Sequence, residues 1–189
     1  MRKVLCGFVV LLSLGSTGVM AQQSSSQELD GETKMACSAI LCLSSATRPA
    51  ECARPISHYF SIVRRRFWDT LQARIDFLNM CPVQGAGMSS LKSAIVRGAG
   101  NCDAAGLNVG LYVGDSDGNA GRVLDSMPQY CSTYFGHEYT RIDPPRYVGT
   151  PERGGYWVEG KDYDAAMRAY TARWAEIDAN RERSGGDYN

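Results

Sequence analysis

The stretch MACSAILCLSSATRPAECARPISHYFSIVRRRFWDTLQARIDFLNMCP, residues 35–82, carries four of the seven cysteines in this 189-residue chain and its clearest helical patterning. A first helix is predicted over Lys34–Ser44, an apolar segment that follows Thr33, a residue type favoured just before a helix. Thr47-Arg48-Pro49 ends the segment, because proline cannot continue a helix. The stretch therefore opens with a short helix that bears its first two cysteines.

Two further helices are predicted, one on each side of the basic corner Arg64–Arg66. The second helix runs from about Pro49 or Pro55 to Val63, and the third ends at Cys81-Pro82. Their apolar side chains recur at helical spacing and form one stripe on each helix. These are Ile56, Tyr59, Phe60 and Val63 in the second helix, and Phe67, Leu71, Ile75 and Leu78 in the third. We expect the two helices to pack antiparallel.

The amino terminus has the pattern of a secretory signal peptide. Arg2 and Lys3 precede the apolar run Val4–Leu14, and small residues then lead to a cleavage site after Ala21. The apolar run of about 11 residues is shorter than the roughly 20 that a membrane-spanning helix needs. We therefore expect residues 1–21 to be removed on export, together with Cys6, and the mature protein to have no transmembrane span.

Six cysteines remain after this cleavage, and an even number in an exported chain indicates three disulfides. No C-x-x-C motif occurs, which argues against both a structural zinc site and a thioredoxin-like redox site. The predicted half-cystines are Cys37, Cys42, Cys52, Cys81, Cys102 and Cys131.

The pairing of the first four cysteines stays open at this point. The antiparallel helices would bring Cys52 beside Cys81, with Cys42 at the same pole. A bond between Cys37 and Cys42 is disfavoured, because a helix turns about 500° over five residues. Two arrangements fit: Cys37–Cys81 with Cys42–Cys52, or Cys37–Cys52 with Cys42–Cys81. By exclusion, Cys102 pairs with Cys131.

The remainder of the chain is less regular until its last helix. A fourth helix is predicted over Ser89–Arg97, followed by a glycine-rich segment, 98–122, in which only Leu107–Val113 resembles a strand. A short hairpin is expected within 141–157. A long last helix follows Asp162, and its apolar stripe has heptad spacing. That stripe consists of Tyr163, Met167, Tyr170, Trp174 and Ile177.

The fold class that these elements predict is mainly α, a small disulfide-stapled helical domain with a glycine-rich middle segment and a long C-terminal helix. Residues 22–33 are polar and predict a disordered leader. Residues 34–183 predict a single helical domain, and 184–189 a disordered tail.

Composition and motifs offer no catalytic, metal or cofactor site. The 20 Lys and Arg balance the 20 Asp and Glu, which argues against direct nucleic-acid binding. His137-Glu138 begins like a zinc-protease motif, but Arg141 stands where the second histidine belongs. Asp115–Asn119 begins like a calcium loop and lacks the required later residues. We expect a protein without enzymatic activity. A pair of carboxylates that cleaves glycans is the hardest alternative to dismiss.

Two surfaces are candidates for binding a partner. The corner residues Arg64, Arg65 and Arg66, beside Trp68, would suit an acidic protein or phospholipid headgroups. Tyr170 and Trp174 in the last helix would suit a partner helix. The alternatives are a solvated corner and a stripe that covers the protein's own core.

Short motifs follow one another in a fixed order over about residues 35–82: ACSAILCLSS, RP, EC, YFSI, an arginine at position 74 and FLNMCP. In this order they resemble the TrbM/KikA family of conjugal transfer proteins. The resemblance implies an exported, periplasmic accessory of mating-pair formation by a type IV secretion system, with other secretion components as partners. It implies no active site. Arg74 lies within an apolar helix, so we expect a structural partner for it.

The resemblance leaves two other functions open. One is a periplasmic enzyme that remodels peptidoglycan, and the other is a host-inhibitory protein encoded with the transfer genes.

Overall fold

The computed structural model describes residues 31–114 and 121–185, and this part of the chain is mainly helical, as predicted. Its helices are α1 Gly31–Ser44, α2 Ala53–Ser61, α3 Phe67–Asn79, α4 Met88–Gly98, α5 Ala104–Gly110, α6 Gln129–Phe135 and α7 Tyr163–Gly185. Its strands are β1 Tyr112–Val113, β2 Arg122–Val123, β3 Arg146–Val148 and β4 Tyr156–Val158, which form two antiparallel pairs, β1–β2 and β3–β4.

Several predicted segments lie outside the described residues. These are the signal peptide 1–21, most of the leader, the calcium-like loop Asp115–Asn119 and the end of the tail. Residues 31–33, predicted to belong to the leader, are helical instead. Glu32 stands in the first turn of α1, where a negative charge is favourable, and Met35 packs against the core.

Helix α1 lies at the centre of the core. Its small residues Ala36 and Ala39 are fully buried, which lets neighbouring helices approach closely. Large buried side chains from the surrounding helices complete the cluster. They include Tyr59 of α2, Leu78 of α3, and Leu91 and Ile95 of α4.

All three predicted disulfides are present. Of the two pairings left open by the sequence, the structure has Cys37–Cys81 with Cys42–Cys52. The third bond joins Cys102, after α4, to Cys131 in α6, and both of its half-cystines are fully buried. The Cα–Cα distances of the three bonds are 4.9, 5.5 and 5.4 Å, within the normal range for disulfides.

Arg74 has the structural partner expected for it. Its guanidinium carbon lies 4.9 Å from the ring centre of Tyr59 and 5.5 Å from that of Phe60. Its Nε donates to the carbonyl of Ile62 at 3.2 Å. The arginine thus joins α3 to the end of α2 by cation–π contacts and a hydrogen bond.

Helix α6 is attached to α4 and α1 through Tyr134. The tyrosine ring lies against Gly98 at the end of α4, where a Cβ atom would come within 2.5 Å of the ring. Its hydroxyl donates to the carbonyl of Leu43. Burial raises the pKa of the Tyr134 hydroxyl, so it remains protonated and able to donate.

The predicted helical stripes are wrong at two positions. Helix α2 ends at Ser61, so Val63 lies beyond it and is exposed. Phe67 is exposed as well, and Phe77 is the buried aromatic residue of α3. Periodicity identifies a helical face but not where the neighbouring helix stops covering it.

The strand predicted over Leu107–Val113 is also wrong, because most of that segment forms α5. Asp103 accepts the backbone N–H of Gly106 at 2.7 Å, a side-chain cap that starts a helix. Leu107 is then buried in the core from this helix. Only Tyr112–Val113 forms a strand.

Two sets of hydrogen bonds join the C-terminal half to the helical half. The predicted hairpin is β3–β4, and Asn108 of α5 bonds to both the N–H and the carbonyl of Trp157, at 2.8 Å each. Arg141 donates its backbone N–H to Ser44 and accepts that of Ala46, which forms a parallel bridge after α1.

We expect the three disulfides to differ in their contribution to stability according to the loop that each closes. Replacing each pair by alanines should lower the free energy of unfolding most for Cys37–Cys81 and least for Cys42–Cys52, whose separations are 44 and 10 residues. The chain-entropy relation gives about 4 and about 2.7 kcal/mol, with about 3.6 kcal/mol for Cys102–Cys131. Urea unfolding of the three double variants measures this order, and the reverse order would contradict it.

Gly98→Ala should lower the free energy of unfolding by about 1–3 kcal/mol, because its methyl group would overlap the buried Tyr134 ring. Gly110→Ala is the matched control, because Gly110 also lies in a helix. Apart from its own helix and chain neighbours, no described atom lies within 4 Å of the added Cβ. It should leave stability unchanged or raise it by up to about 1 kcal/mol. Equal effects in thermal unfolding would show that the Gly98–Tyr134 contact is unimportant.

Candidate partner-binding surfaces

A groove of about 570 Å³ lies where the helical half meets the segments after α6. Aromatic side chains line it together with the small residues Gly98, Ala99 and Gly100. Gly100 has a φ of 79° and no room for a side chain, because a Cβ atom would lie 2.7 Å from the ring of Phe60. The aromatic lining residues are Phe60, Tyr134 and Phe135.

Some charged side chains of the groove form hydrogen bonds within the chain and others do not. Asp103 caps α5, and Glu159 accepts the backbone N–H of Ala104 at 2.9 Å, so both carboxylates serve the start of that helix. Arg48, Lys161 and Asp143 also line the groove. Within the described part of the chain these three make no ion pair or hydrogen bond. The groove therefore offers aromatic surface beside unpaired charges of both signs.

The predicted corner is exposed along its length. Arg64, Arg65 and Arg66 lie on the connection between α2 and α3, and Trp68 lies in the first turn of α3. All four side chains face solvent. The side chain of Arg66 pairs with Asp69, with 2.8 Å between Nε and Oδ2. Binding of a partner by these residues remains a prediction.

Tyr170 and Trp174 form hydrogen bonds with another segment of the same chain. The hydroxyl of Tyr170 donates to the carbonyl of Arg153 at 3.2 Å, and the indole of Trp174 donates to the same carbonyl at 3.0 Å. The Arg153 guanidinium lies over the Trp174 ring and pairs with Asp178 at 3.2 Å. The two aromatic residues thus hold the β3–β4 turn against α7, and their role in binding a partner also remains a prediction.

Lys92 of α4 is a buried cation, with 6% of its surface exposed. Its ammonium donates to the carbonyl of Cys81, just beyond α3, at 3.1 Å. Burial lowers the pKa of this lysine. The contact stabilises a carbonyl at the end of a helix, where positive charge is favourable.

Ser90 and His137 form the one contact that resembles a nucleophile and its base, with 3.0 Å between Oγ and Nε2 among the described residues. The serine hydroxyl donates to the Gly87 carbonyl at 2.8 Å. The Nδ1 atom of the histidine accepts the backbone N–H of Tyr139 at 3.3 Å, which places the ring proton on Nε2. A base would present a lone pair to the hydroxyl, so this geometry does not activate Ser90.

Metal-ligand geometry is equally lacking in residues 31–114 and 121–185, where no three His, Cys, Asp or Glu side chains come together. Nor does any helix in these two ranges have the length and apolar character to cross a membrane.

Comparison with known proteins adds one finding. The model of the TrbM family matches residues 28–171. The chain belongs to the TrbM family. It is therefore a protein related to conjugal transfer. No curated protein and no solved structure matches it.

The TrbM match includes all six half-cystines, the groove and the corner, and it ends inside α7. The remainder of α7 follows the match and contains Trp174 and Asp178, which bind the turn at Arg153. The contacts that fix this turn therefore lie partly outside the part of the chain that defines the family.

The sequence did not predict the groove in this TrbM protein. Its walls come from segments far apart in the chain, such as Arg48, Tyr134 and Lys161. The one local signal is Gly98-Ala99-Gly100, a run of small residues directly after a predicted helix.

The buried tyrosines predict a loss of stability in alkali. Burial raises the pKa of Tyr59 to about 12, whereas the hydroxyl has its ordinary value of 10.0 once the chain unfolds. As the pH rises, the unfolded state loses this proton before the folded state does. The contribution of Tyr59 to the free energy of unfolding is therefore fully present below pH of about 10 and is lost as the pH rises toward about 12. Tyr59→Phe should make this fall shallower by up to about 1.4 kcal/mol per pH unit.

Urea unfolding at a series of alkaline pH values measures this slope. The hydroxyl of Tyr59 makes a long contact, 3.5 Å, to the carbonyl of Ile95 and interacts with Arg74. Because Arg74 also binds the carbonyl of Ile62, the phenylalanine variant should fold normally at neutral pH. Tyr130→Phe, at an exposed position, is the control and should keep the wild-type slope. Identical slopes in all three proteins would contradict the assignment.

Proposed function

We propose that this protein is an exported, periplasmic accessory of conjugation that supports mating-pair formation by a type IV secretion system through protein contacts. The observation that carries the proposal is the TrbM family match over residues 28–171. The predicted signal peptide and the three disulfides support an oxidising compartment outside the cytoplasm.

The charge of the chain supports a role on the secretion apparatus and not on the transferred DNA. Removing Arg2 and Lys3 with the signal peptide leaves 18 basic residues against 20 acidic ones. A formal charge of −2 provides no general attraction for phosphates, which DNA binding requires.

The groove is the surface that we assign to the partner protein. Aromatic rings beside unpaired charges are typical of the centre of an interface, where apolar anchors are buried and polar groups fix the register. A volume of about 570 Å³ accommodates a few side chains of an inserted segment. Arg48 and Lys161 would pair with acidic residues of that segment, and Asp143 with a basic one.

Donor cells without this gene should transfer the element less often, and the wild-type gene should restore transfer. Ala105→Trp fills the groove from an exposed position on α5. It should reduce restored transfer by about tenfold or more, as expected when a contact worth about 1.4 kcal/mol is lost. Mating assays with equal protein levels measure this.

The matched control is Ala172→Trp, which also adds an indole to an exposed helical alanine, but on α7 and away from the groove. It should restore transfer fully. Crosslinking in donor cells should capture secretion components with the wild type and the control, and not with Ala105→Trp. If the deletion leaves transfer unchanged and alters host viability instead, a host-inhibitory function is the better account. If the purified protein releases fragments from cell-wall sacculi, it is a peptidoglycan enzyme.

A further inference from the structure

We propose that the α2–α3 corner, Val63–Trp68, docks on a lipid surface that carries negative charge. This inference goes beyond the proposed function and does not depend on the groove. The corner residues line neither the groove nor the smaller cavity beside Lys92.

The first observation is the exposure of large apolar side chains. Val63, Phe67 and Trp68 have 63%, 60% and 69% of their surface exposed, although they stand within six consecutive residues. The rings of Phe67 and Trp68 contact each other edge to face, with 5.3 Å between their centres. Two exposed aromatic rings in contact, with an exposed valine nearby in the chain, indicate an interaction surface, since exposed apolar residues that stand singly need no such explanation.

The second observation is the charge between these apolar residues. Asp69 is paired with Arg66, and it is the one acidic side chain that contacts the corner among the described residues. In the part of the chain that the structure describes, the guanidinium of Arg64 donates only to the backbone carbonyl of Val63, at 3.1 Å. Arg65 has no ion pair or hydrogen bond within the described ranges. Two arginines are therefore available to anionic groups, and the third lies beside them.

The corner is also held rigid, which lowers the cost of ordering it on a surface. The hydroxyl of Thr70 accepts the backbone N–H of Arg64 at 2.8 Å. At the same end, Arg74 binds the carbonyl of Ile62 from its position over Tyr59. At the other end, the backbone N–H of Thr70 donates to the carbonyl of Arg66 at 3.1 Å. These contacts fix the backbone on both sides of Arg65, so the arginine side chains project from a preformed turn.

The shape of the corner favours a lipid surface over a folded protein. A protein partner would need a concave site complementary to a projecting turn, whereas lipid headgroups rearrange around it. Tryptophan and phenylalanine are well suited to the boundary between headgroups and acyl chains. Arginines next to them reach phosphate groups while their stems cover apolar surface.

Vesicle binding by the purified full chain tests the proposal. The protein should sediment with vesicles that contain phosphatidylglycerol and not with pure phosphatidylcholine, and added salt should weaken binding. Arg65→Gln should reduce the partition coefficient by about fivefold, the factor for one basic residue near an anionic surface. Arg168→Gln, an exposed arginine on α7, is the matched control and should bind like the wild type. Because any effect of residues 1–21 is common to all variants, the comparison isolates the corner.

Tryptophan fluorescence gives a second readout that does not depend on charge. Trp157 is buried, so an emission shift to shorter wavelength on vesicle addition should arise from Trp68. Trp68→Phe should bind and lose the shift, while Trp174→Phe should retain it. Equal binding of both vesicle types, equal loss in Arg65→Gln and Arg168→Gln, or a shift that survives Trp68→Phe would each overturn the proposal. Binding to soluble polyglutamate without binding to vesicles would also overturn it, in favour of an acidic protein partner.

Discussion

Helix α1 is fixed on two sides by covalent bonds, and these bonds constrain where α2 and α3 lie in the core. Cys37 ties it to the end of α3, and Cys42 ties it to the start of α2. Because both bonds start from one rigid helix, they set the distance and the rotation of α2 and α3 relative to α1. Helix α4 then packs on α1 and α3 through Leu91 and Ile95.

The groove and the corner depend on this frame in different ways. The groove exists because distant segments are brought back to the end of α1: Tyr134 donates to the carbonyl of Leu43, and Arg141 pairs with the segment after Ser44. The corner is made locally, by Thr70 and Arg74 of α3, at the far end of α2 from Cys52. Damage to the C-terminal half would therefore affect the groove and leave the corner in place.

Local patterns in the sequence predicted what local interactions determine. Helices α1 to α4 and α7, the hairpin and the set of half-cystines follow from periodicity, proline positions and parity, whereas α5 and α6 were not predicted. The partners of Cys37 and Cys42 did not follow, because two arrangements satisfied the same helical geometry. Leu107–Val113 was misjudged because its apolar residues suit a buried helix as well as a strand. The helix is started by hydrogen bonds from Gly106 to Asp103 and from Ala104 to the distant Glu159. The spacing of Tyr170 and Trp174 predicts that they share one face of α7. It does not predict that the β3–β4 turn packs on that face.

The two disulfides of α1 also show which cysteine pairing the helix excludes. An oxidant that joined cysteines in order of appearance would connect Cys37 to Cys42, whereas in the structure Cys42 bonds to Cys52 and Cys37 to the later Cys81. Once α1 is helical, its first two thiols point about 140° apart and cannot meet. The helical form of α1 therefore excludes the pairing of its two neighbouring cysteines and leaves Cys37 available to the distant Cys81.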